Sequence, residues 1–285
     1  MEASEAIVIV DEQIPPNWAW VAGASEGLGL AFANELASRG YSLMLFARRG
    51  ELLDNEAKQL RTRHGVSIMT RTLDLASPGL EARLRECLQQ APPTLALYNA
   101  AYVPIGDYLA QPLADLLRAI DVNVRGPLVW SRVLGAEMLD RVERGKRDRP
   151  ALVFMSSLAG AQGSPRIATY AATKAFNTIL AEGLWSELRD KGIDVLVCTA
   201  GAIRTPGYRD SLNGDTPGIM DAAKLAAHTL DRLGDGPRVA PGWINKLAAL
   251  VVGRWLPRRM AVGVMARSTR DLANPPDTDG AGSAE

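Results

Sequence analysis

Residues 21–30, VAGASEGLGL, permit two interpretations that lead to different kinds of protein. Gly23, Ser25 and Gly27 match G-x-S-x-G, the turn that presents a nucleophilic serine in many hydrolases. Gly23, Gly27 and Gly29 also form a glycine-rich turn of the kind that places a helix N-terminus against a pyrophosphate. Both interpretations require a strand before the turn and a helix after it, so other parts of the chain have to decide between them.

Composition limits the class of protein. The chain has 285 residues, 47% of them hydrophobic, which suits one large α/β domain or two small ones. Its 32 basic and 32 acidic residues cancel, so no global field favours a nucleic acid or an anionic membrane. Cys87 and Cys198 are the only cysteines, which predicts a reducing, cytoplasmic setting. Two histidines cannot support a histidine-rich site, and we expect no metal.

The ends of the chain differ from its middle. Residues 1–15 lack the basic start and long apolar core of a secretory signal, and we treat them as an extension. Arginines and a proline interrupt the apolar segment 247–266, which is therefore not a membrane span. We expect this segment to pack on its own domain; contact with a membrane surface or a partner subunit is the alternative. Residues 273–285 are polar and rich in Pro and Gly, which predicts a disordered tail.

Short apolar runs alternate with longer helical patterns along the chain. The runs are residues 18–22, 42–47, 67–73, 94–99, 151–156 and 194–199. Several are apolar throughout, as expected of strands that are covered on both faces. The clearest helical patterns are residues 26–40, which end at a glycine, and residues 112–139. This alternation predicts a single α/β domain over residues 16–272, with a doubly wound parallel sheet and helices on both faces.

The predicted fold favours the nucleotide interpretation of the glycine turn. Ligands of such sheets bind beyond the carboxyl ends of the strands, and this turn follows the first strand. Gly23 would permit the tight turn, Gly27 would let a pyrophosphate approach the backbone, and Gly29 would let the helix lie close to the strand. A hydrolase would need Ser25, a later acid and His228, but His228 lies inside a helical pattern. We keep a serine hydrolase as the least favoured alternative.

The residues after the second strand bear on the choice of cofactor. Folds that bind NAD usually have an acidic residue there, which accepts a hydrogen bond from the ribose 2′-hydroxyl. Here Ala47 is followed by Arg48 and Arg49, and guanidinium groups suit a 2′-phosphate. The sequence therefore favours NADP(H) over NAD(H), although Glu26 would repel the phosphate. The alternative is that both arginines belong to a solvated helix start.

A tyrosine and a lysine carry a possible proton-transfer chemistry. Tyr170 and Lys174 are four residues apart on a predicted helix, so their side chains share a face. Free tyrosine has a pKa of ~10, and a nearby ammonium group would lower it towards neutral pH. Ser156 and Ser157 end the preceding strand, where a hydroxyl group could stabilise a substrate oxygen that gains negative charge.

Together these motifs resemble the short-chain dehydrogenase/reductase family, of the NADP(H)-preferring type, over residues 16–245. The matching stretches are AGASEGLG, LDL, YNAA, VNVRG, SSLAG, YAATK and TAGAIRT. The resemblance implies a Rossmann fold and a catalytic tetrad of Asn123, Ser157, Tyr170 and Lys174. With the turn residues, it implies cofactor contacts at Gly23, Ser25, Glu26, Gly27, Leu28, Gly29, Arg48, Arg49, Asp74, Leu75, Asn99, Ala100, Ala101, Tyr170, Lys174, Gly201, Ile203 and Thr205.

The chain departs from the family pattern at three places. Ala22 stands where the family commonly has Thr, residues 98–101 (YNAA) replace N-N-A-G, and Ala200 replaces the proline of P-G. These positions support the sheet or the nicotinamide end of the cofactor. None of the changes removes a proton-transfer group.

The resemblance implies NADP(H)-dependent hydride transfer between nicotinamide and a carbonyl or secondary alcohol. In that scheme Tyr170 donates the proton, Lys174 lowers its pKa and holds the nicotinamide ribose, and Asn123 breaks its helix locally and holds a relay water. A substrate lid over residues 204–224 mixes apolar and polar residues, which suggests a partly apolar substrate and no more. Together with the C-terminal extension, the lid resembles the reductase branch of the family related to ketone, acyl-chain and steroid-like substrates. An NAD-dependent alcohol dehydrogenase and a non-catalytic NADP(H)-binding regulator are the alternatives. Because family members are commonly dimers or tetramers, we also expect a homodimer or homotetramer.

Overall fold

A computed structural model describes residues 17–145, 149–204, 218–251, 255–270 and 272. Nine strands lie within these ranges: β1 (Trp18–Ala22), β2 (Ser42–Ala47), β3 (Ile68–Thr72), β4 (Pro93–Tyr98), β5 (Ala151–Ser157), β6 (Asp194–Ala200), β7 (Ile203–Arg204), β8 (Met220–Asp221) and β9 (Arg238–Val239). Seven of them form one parallel sheet in the order β3-β2-β1-β4-β5-β6-β9. The predicted doubly wound Rossmann fold is confirmed.

Helices cover both faces of this sheet. They are α1 (Gly27–Ser38), α2 (Gly50–His64), α3 (Leu80–Leu88), α4 (Leu113–Ile120), α5 (Gly126–Glu143), α6 (Ala168–Leu188), α7 (Ala222–Leu230), α8 (Trp243–Leu250) and α9 (Arg258–Ser268). Every residue of β2 and β4 is buried, which explains why those runs are apolar throughout. No helix in the described ranges is both long enough and apolar enough to cross a bilayer.

Aromatic side chains fill the core on one side of the sheet. The Trp130 ring on α5 lies 5.8 Å from that of Trp20, 5.2 Å from Phe46 and 5.8 Å from Tyr98, measured between ring centroids. These edge-on distances are typical of favourable aromatic pairs. The Trp20 indole also donates a hydrogen bond to the carbonyl oxygen of Ala91 at 2.7 Å. The aromatic cluster therefore fixes α5 against β1, β2 and β4.

The helical pattern predicted over residues 112–139 is two helices joined by a π-helical turn, Asp121–Arg125. A local break at Asn123, implied by the family resemblance, is thereby confirmed. Tyr98 holds this turn, since its hydroxyl donates to the carbonyl oxygen of Val122 at 2.6 Å. Burial raises the pKa of Tyr98, so the phenol stays protonated and remains a donor. A Cβ atom at Gly126 would collide with the same hydroxyl. Tyr98, which stands where the family pattern has its first asparagine, thus anchors the turn that contains Asn123.

Candidate active site

The glycine turn lies where the strand order reverses, between β1 and β4. Gly23 and Gly27 have φ angles of +79° and +56°, which favour glycine. The Asn99 side chain donates to the carbonyl oxygen of Gly23 at 3.1 Å. A Cβ atom on Gly23 would lie 2.8 Å from the Cα atom of Ala100, so only glycine fits there. The turn is therefore a cradle of bare backbone at the switch point, where nucleotides bind in such sheets.

A cavity of about 280 Å³ opens beside this turn. Its lining includes Gly23, Ser25, Glu26, Arg48, Arg49, Asp74, Leu75, Asn99, Ala100 and Ala101, all of them predicted cofactor contacts. The other lining residues are Ala47, Leu73, Tyr102, Arg118 and Val122. Gly27, Leu28 and Gly29 form the first turn of α1, directly after the cradle. The structure therefore brings the predicted adenosine and pyrophosphate contacts to one place.

Charges in this cavity are distributed unevenly. Arg49 Nη2 lies 2.5 Å from Glu26 Oε1 and donates to Ser25 Oγ at 3.3 Å. Arg48 is exposed, and among the described residues it makes no hydrogen bond or ion pair. Arg49 thus balances the negative charge of Glu26. This ion pair reduces the repulsion between Glu26 and a phosphate that the sequence leads us to expect. Arg48 is the cation that remains available to a ligand.

Asp74 is held in place by two hydrogen bonds. Its Oδ1 accepts from the backbone N–H of Ala76 at 2.9 Å, and Arg118 Nη2 lies 3.1 Å from its Oδ2. Burial alone would raise the pKa of Asp74, but these two contacts, together with the positive charge of nearby Arg48, lower it overall, so the carboxylate stays ionised. Arg118 also lies over the ring of Tyr102, 5.6 Å from its centroid. Sequence reasoning missed Arg118 and Tyr102, because no local pattern signals a contact between residues 44 positions apart.

One buried amide connects the loop after β4 to α6. Asn123 is fully buried, and its Oδ1 accepts from the backbone N–H of Tyr102 at 2.8 Å. Its Nδ2 donates to the carbonyl oxygen of Tyr102 at 2.8 Å and to Thr173 Oγ1 at 3.1 Å. The Thr173 hydroxyl in turn donates to the carbonyl oxygen of Tyr170 at 2.7 Å. Asn123 therefore fixes the start of α6, where Tyr170 lies.

Ser157, Tyr170 and Lys174 meet at the carboxyl end of β5. Lys174 is only 3% exposed, its Nζ donates to the carbonyl oxygen of Met155 at 3.0 Å, and it lies 5.5 Å from the centroid of the Tyr170 ring. A Cβ atom on Gly160 would lie 2.8 Å from the backbone nitrogen of Ala175, so the turn after Ser157 packs directly on α6. The predicted tetrad residues are thus on neighbouring elements at one edge of the sheet.

The two serines that end β5 have different surroundings. Ser156 is buried, donates to the carbonyl oxygen of Lys174 at 2.8 Å and lies 2.7 Å from Thr178 Oγ1. Ser157 is only partly buried; its Oγ accepts from the backbone N–H of Ala159 at 3.2 Å, and its side chain also interacts with the Tyr170 hydroxyl. The hydroxyl group of Ser156 is therefore used in contacts with α6, whereas the hydroxyl group of Ser157 lies beside Tyr170.

The sequence-based expectation for the tyrosine pKa is wrong in this structure. Burial raises the pKa of Tyr170, and the Ser157 hydroxyl opposes that rise only in part. Lys174 does not reverse the effect; its ammonium group donates to the Met155 carbonyl oxygen and lies 5.5 Å from the centroid of the Tyr170 ring. Burial also lowers the pKa of Lys174 to about 8.

The segment after β6 contains the remaining predicted contacts. A Cβ atom on Gly201 would lie 2.5 Å from Asn245 Oδ1, and Asn245 Nδ2 donates to the carbonyl oxygens of Gly218 at 3.1 Å and Pro241 at 3.0 Å. Ile203 lies in β7. Thr205 and residues 206–217 of the predicted lid are outside the described residues. The role of Asn245 as a support for this segment was not predicted, because it belongs to α8, far along the chain.

A second cavity of about 750 Å³ has Ser157 in its wall. Its other described lining residues are Gly160, Ala161, Ala175, Thr178, Ile179, Glu182, Arg238, Ala240, Lys246, Leu250 and Arg258. It therefore joins one predicted catalytic hydroxyl to the C-terminal helices α8 and α9, and its wall contains both apolar and basic side chains.

A doubly wound sheet with a bare-backbone cradle at its switch point, next to Ser157, Tyr170 and Lys174, defines a nucleotide-dependent oxidoreductase. The family model described as short chain dehydrogenase matches residues 17–215, and the chain belongs to this family. It is an enzyme that uses a nicotinamide cofactor and acts on hydroxyl or carbonyl groups.

Named relatives and solved structures agree with this assignment. The 7beta-hydroxysteroid dehydrogenase of Clostridium sardiniense is 31% identical over 205 residues, which cover 72% of this chain and 76% of the relative. The very-long-chain 3-oxoacyl-CoA reductase of Schizosaccharomyces pombe is 29% identical over 236 residues, covering 78% and 68%. A structure from a study of 7beta-hydroxysteroid dehydrogenase stereoselectivity has a TM-score of 0.79 at 25% identity, covering 88% and 96%. A short-chain dehydrogenase from Sphingobium yanoikuyae in complex with NADPH has a TM-score of 0.69 at 28% identity, covering 94% and 99%.

Burial of the charged Lys174 side chain should reduce the stability of the folded protein. A drop in its pKa from 10.5 to about 8 corresponds to about 3 kcal/mol of unfavourable burial of the charged form at neutral pH. We expect Lys174→Met to raise the free energy of unfolding at pH 7 by about 1–2 kcal/mol, because loss of the hydrogen bond to Met155 offsets part of the gain.

The pH dependence has a defined sign. Between pH 8 and 10.5 the folded protein has lost a proton that the unfolded chain keeps, so wild-type stability rises with pH in this window. The advantage of Lys174→Met is therefore complete below pH 8 and disappears above 10.5. Urea unfolding at several pH values measures it, with exposed Lys58→Met as the control. A Lys174→Met variant that is less stable than wild type at pH 7 would contradict the buried-charge account.

Proposed function

We propose that the protein is an NADP(H)-dependent oxidoreductase for a partly apolar ketone or secondary alcohol. The observation that carries this proposal is the meeting of Ser157, Tyr170 and Lys174 at the carboxyl end of β5, on the same edge of the sheet as the glycine cradle. The cavity beside the cradle fits a dinucleotide, since it combines bare glycine backbone, the available cation Arg48 and the ionised carboxylate of Asp74.

In this proposal four side chains have separate roles near the substrate carbon that gains or loses the hydride. The bound nicotinamide supplies or accepts the hydride. Tyr170 gives a proton to the substrate oxygen during reduction, and its raised pKa keeps the phenol protonated before that step. Ser157 donates a hydrogen bond to the same oxygen and stabilises its developing negative charge. Lys174 holds the nicotinamide ribose, and Asn123 positions α6; the relay water implied by the family resemblance stays a prediction.

Removal of the phenol hydroxyl tests this assignment. We expect Tyr170→Phe to lower kcat by at least ~10³-fold, since general acid catalysis contributes roughly 10²–10⁴-fold, while the Kd for NADPH changes less than about threefold. NADPH absorbance over a panel of steroid ketones and 3-oxoacyl thioesters identifies a substrate, and nicotinamide fluorescence measures binding. Tyr108→Phe, which alters an exposed tyrosine, is the matched control. Appreciable turnover by Tyr170→Phe would exclude the role given to Tyr170, and NADPH binding without turnover on any substrate would favour a regulatory protein.

The preference for NADP(H) rests on Arg48. Its guanidinium group is in the cavity and makes no hydrogen bond or ion pair with the described chain, while Arg49 neutralises Glu26. The NADPH complex of the Sphingobium yanoikuyae relative supports the same choice. A charge-assisted hydrogen bond to a phosphate contributes roughly 1.5–3 kcal/mol.

Replacement of Arg48 therefore separates the two dinucleotides. We expect Arg48→Ala to weaken NADPH binding by roughly 10- to 100-fold and to change NADH binding by less than about threefold. Titration of both cofactors measures this, and Arg83→Ala on α3, an exposed arginine outside the cavity, is the control. Equal losses for NADPH and NADH, or no loss for either, would favour the NAD-dependent alternative.

The proposed substrate class rests on the second cavity. Ile179, Leu250 and several alanines give its wall an apolar part, and Ser157 places it beside the proposed reaction centre. The relatives are named for a hydroxysteroid and for a very-long-chain 3-oxoacyl-CoA, both bulky and partly apolar molecules. We therefore favour steroid-like and acyl-chain carbonyl compounds over small polar ones.

A homodimer or homotetramer and a cytoplasmic location complete the proposal. Leu113, Leu117 and Ile120 form an exposed stripe on α4, which packs against α6. Four alanines near Tyr170 on α6 differ in exposure: Ala171 is buried and Ala175 lines the second cavity, while Ala168 and Ala172 are exposed. Sedimentation equilibrium measures the assembly, and a monomer at micromolar concentration would contradict it. Two free, buried cysteines, Cys87 and Cys198, suit a reducing compartment.

A further inference from the structure

The C-terminal part of the chain has an unusual charge distribution. Between Asp235 and Asp271 the sequence contains seven basic residues and no acidic one. The basic residues are Arg238, Lys246, Arg254, Arg258, Arg259, Arg267 and Arg270. Because the whole chain has no net charge, the remainder of the protein is net negative. The segment that includes α8 and α9 is therefore strongly basic in sequence.

Large apolar side chains are exposed in the same region. Trp243, Leu247 and Leu250 recur at helical spacing on α8 and are 75%, 53% and 49% exposed. Trp255 is 76% exposed, and Met260 and Val264 are exposed one turn apart on α9. Scattered exposed apolar residues are ordinary, but a group that contains two tryptophans marks an interaction site.

The inner faces of these helices are attached to the domain. Asn245 on α8 is buried and donates to Gly218 and Pro241, as described above. On α9, Ala261 is fully buried and Arg258 donates to the carbonyl oxygen of Ala161 at 2.8 Å. The expectation that this segment packs on its own domain therefore holds for the inner faces only, and the outer faces have no partner within the described chain.

The basic charge of residues 236–270 indicates which kind of partner covers the outer faces of α8 and α9. A two-fold contact with a second copy would place the basic residues against themselves, with no acidic residue of the segment to compensate. Anionic lipid headgroups complement the cations, and indole rings prefer the boundary between headgroups and acyl chains. An anionic bilayer therefore satisfies both the charge and the tryptophans.

We propose that α8, Trp255 and α9 form a peripheral docking surface for an anionic lipid bilayer. The docking surface consists of Trp243, Lys246, Leu247, Leu250, Trp255, Arg259, Met260 and Val264. This binding goes beyond the oxidoreductase function and does not depend on it. Lys246 and Leu250 also line the cavity that contains Ser157, so docking would place the entrance of that cavity near the lipid.

Vesicle binding by the full-length protein tests the proposal. We expect co-sedimentation with phosphatidylcholine vesicles that contain about 30% phosphatidylglycerol, weak binding to pure phosphatidylcholine, and a loss of binding as salt is raised. Trp243→Ser with Trp255→Ser should reduce the bound fraction at least ~10-fold. Lys246→Gln with Arg259→Gln should weaken binding and reduce its salt dependence. Wild-type tryptophan fluorescence should be quenched by brominated acyl chains.

Matched variants elsewhere on the surface serve as controls. Leu109→Ser removes a leucine that is 96% exposed from the turn before α4, and Arg83→Gln with Arg85→Gln removes exposed cations from α3. We expect these proteins to bind vesicles as the wild type does. Because Trp243 and Trp255 are three-quarters exposed, their replacement should leave the melting temperature unchanged, which separates lost docking from lost folding.

Three results would overturn the proposal. They are no preference for anionic vesicles, equal loss of binding in the Leu109→Ser or α3 controls, and a wild type that does not bind vesicles while the tryptophan variant changes from oligomer to monomer. The last result would show that a second copy covers the surface. Activity on a water-soluble carbonyl substrate, assayed without lipid, should be the same in wild type and in the Trp243→Ser, Trp255→Ser variant, because neither tryptophan lines the cavity that contains Ser157. A failure of docking is thus distinguishable from a failure of the proposed function.

Discussion

The close approach of the Gly23 backbone to Ala100 is the constraint on which the candidate site depends. A Cβ atom at Gly23 would lie within 2.8 Å of the Ala100 Cα atom, and the Ala100 N–H donates to the carbonyl oxygen of Ala22 at 3.0 Å. The Gly23 N–H donates to the carbonyl oxygen of Phe46 at 2.8 Å, which joins the end of β2 to the same point. Because the carboxyl ends of β1, β2 and β4 are held together in this way, the residues that follow each strand share one cavity. Arg48 enters it after β2, and Asn99 enters it after β4.

The elements of this site were readable from the sequence to different degrees. Strands buried on both faces give continuous apolar runs, so β1 and β2 coincide with the predicted runs, residues 18–22 and 42–47. Tyr170 and Lys174 could be paired because helical spacing places them on one face. The ion pair of Arg118 with Asp74 and the hydrogen bond of Tyr98 with Val122 could not be foreseen, since each joins elements that only the packed fold brings together. The same reason explains why Asn245 was missed.

The pKa shifts of Tyr170 and Lys174 show where an inference from sequence spacing alone fails. The spacing of Tyr170 and Lys174 predicts proximity, but the sign of a pKa shift depends on which effect is larger at the atoms concerned. Here the ammonium group is occupied by the Met155 carbonyl oxygen, and burial of the phenol outweighs its influence. A buried ammonium group with a pKa of about 8 also reduces the stability of the fold. Because its burial costs stability, the position of Lys174 beside Tyr170 is better explained by the proposed catalytic role than by packing.

Net charge and charge distribution lead to different conclusions for this protein. Equal numbers of acidic and basic residues argued against an anionic membrane, yet residues 236–270 contain seven basic residues and no acidic one. Electrostatic attraction to a surface falls off over about 10 Å at moderate salt, so the local charge decides and the distant acids do not. On α8 the inner side chain Asn245 supports Gly201 and Gly218, while Trp243 and Leu247, two positions to either side, face outward. One helix thus connects the docking surface to the segment after β6, and a change in its position would act on both.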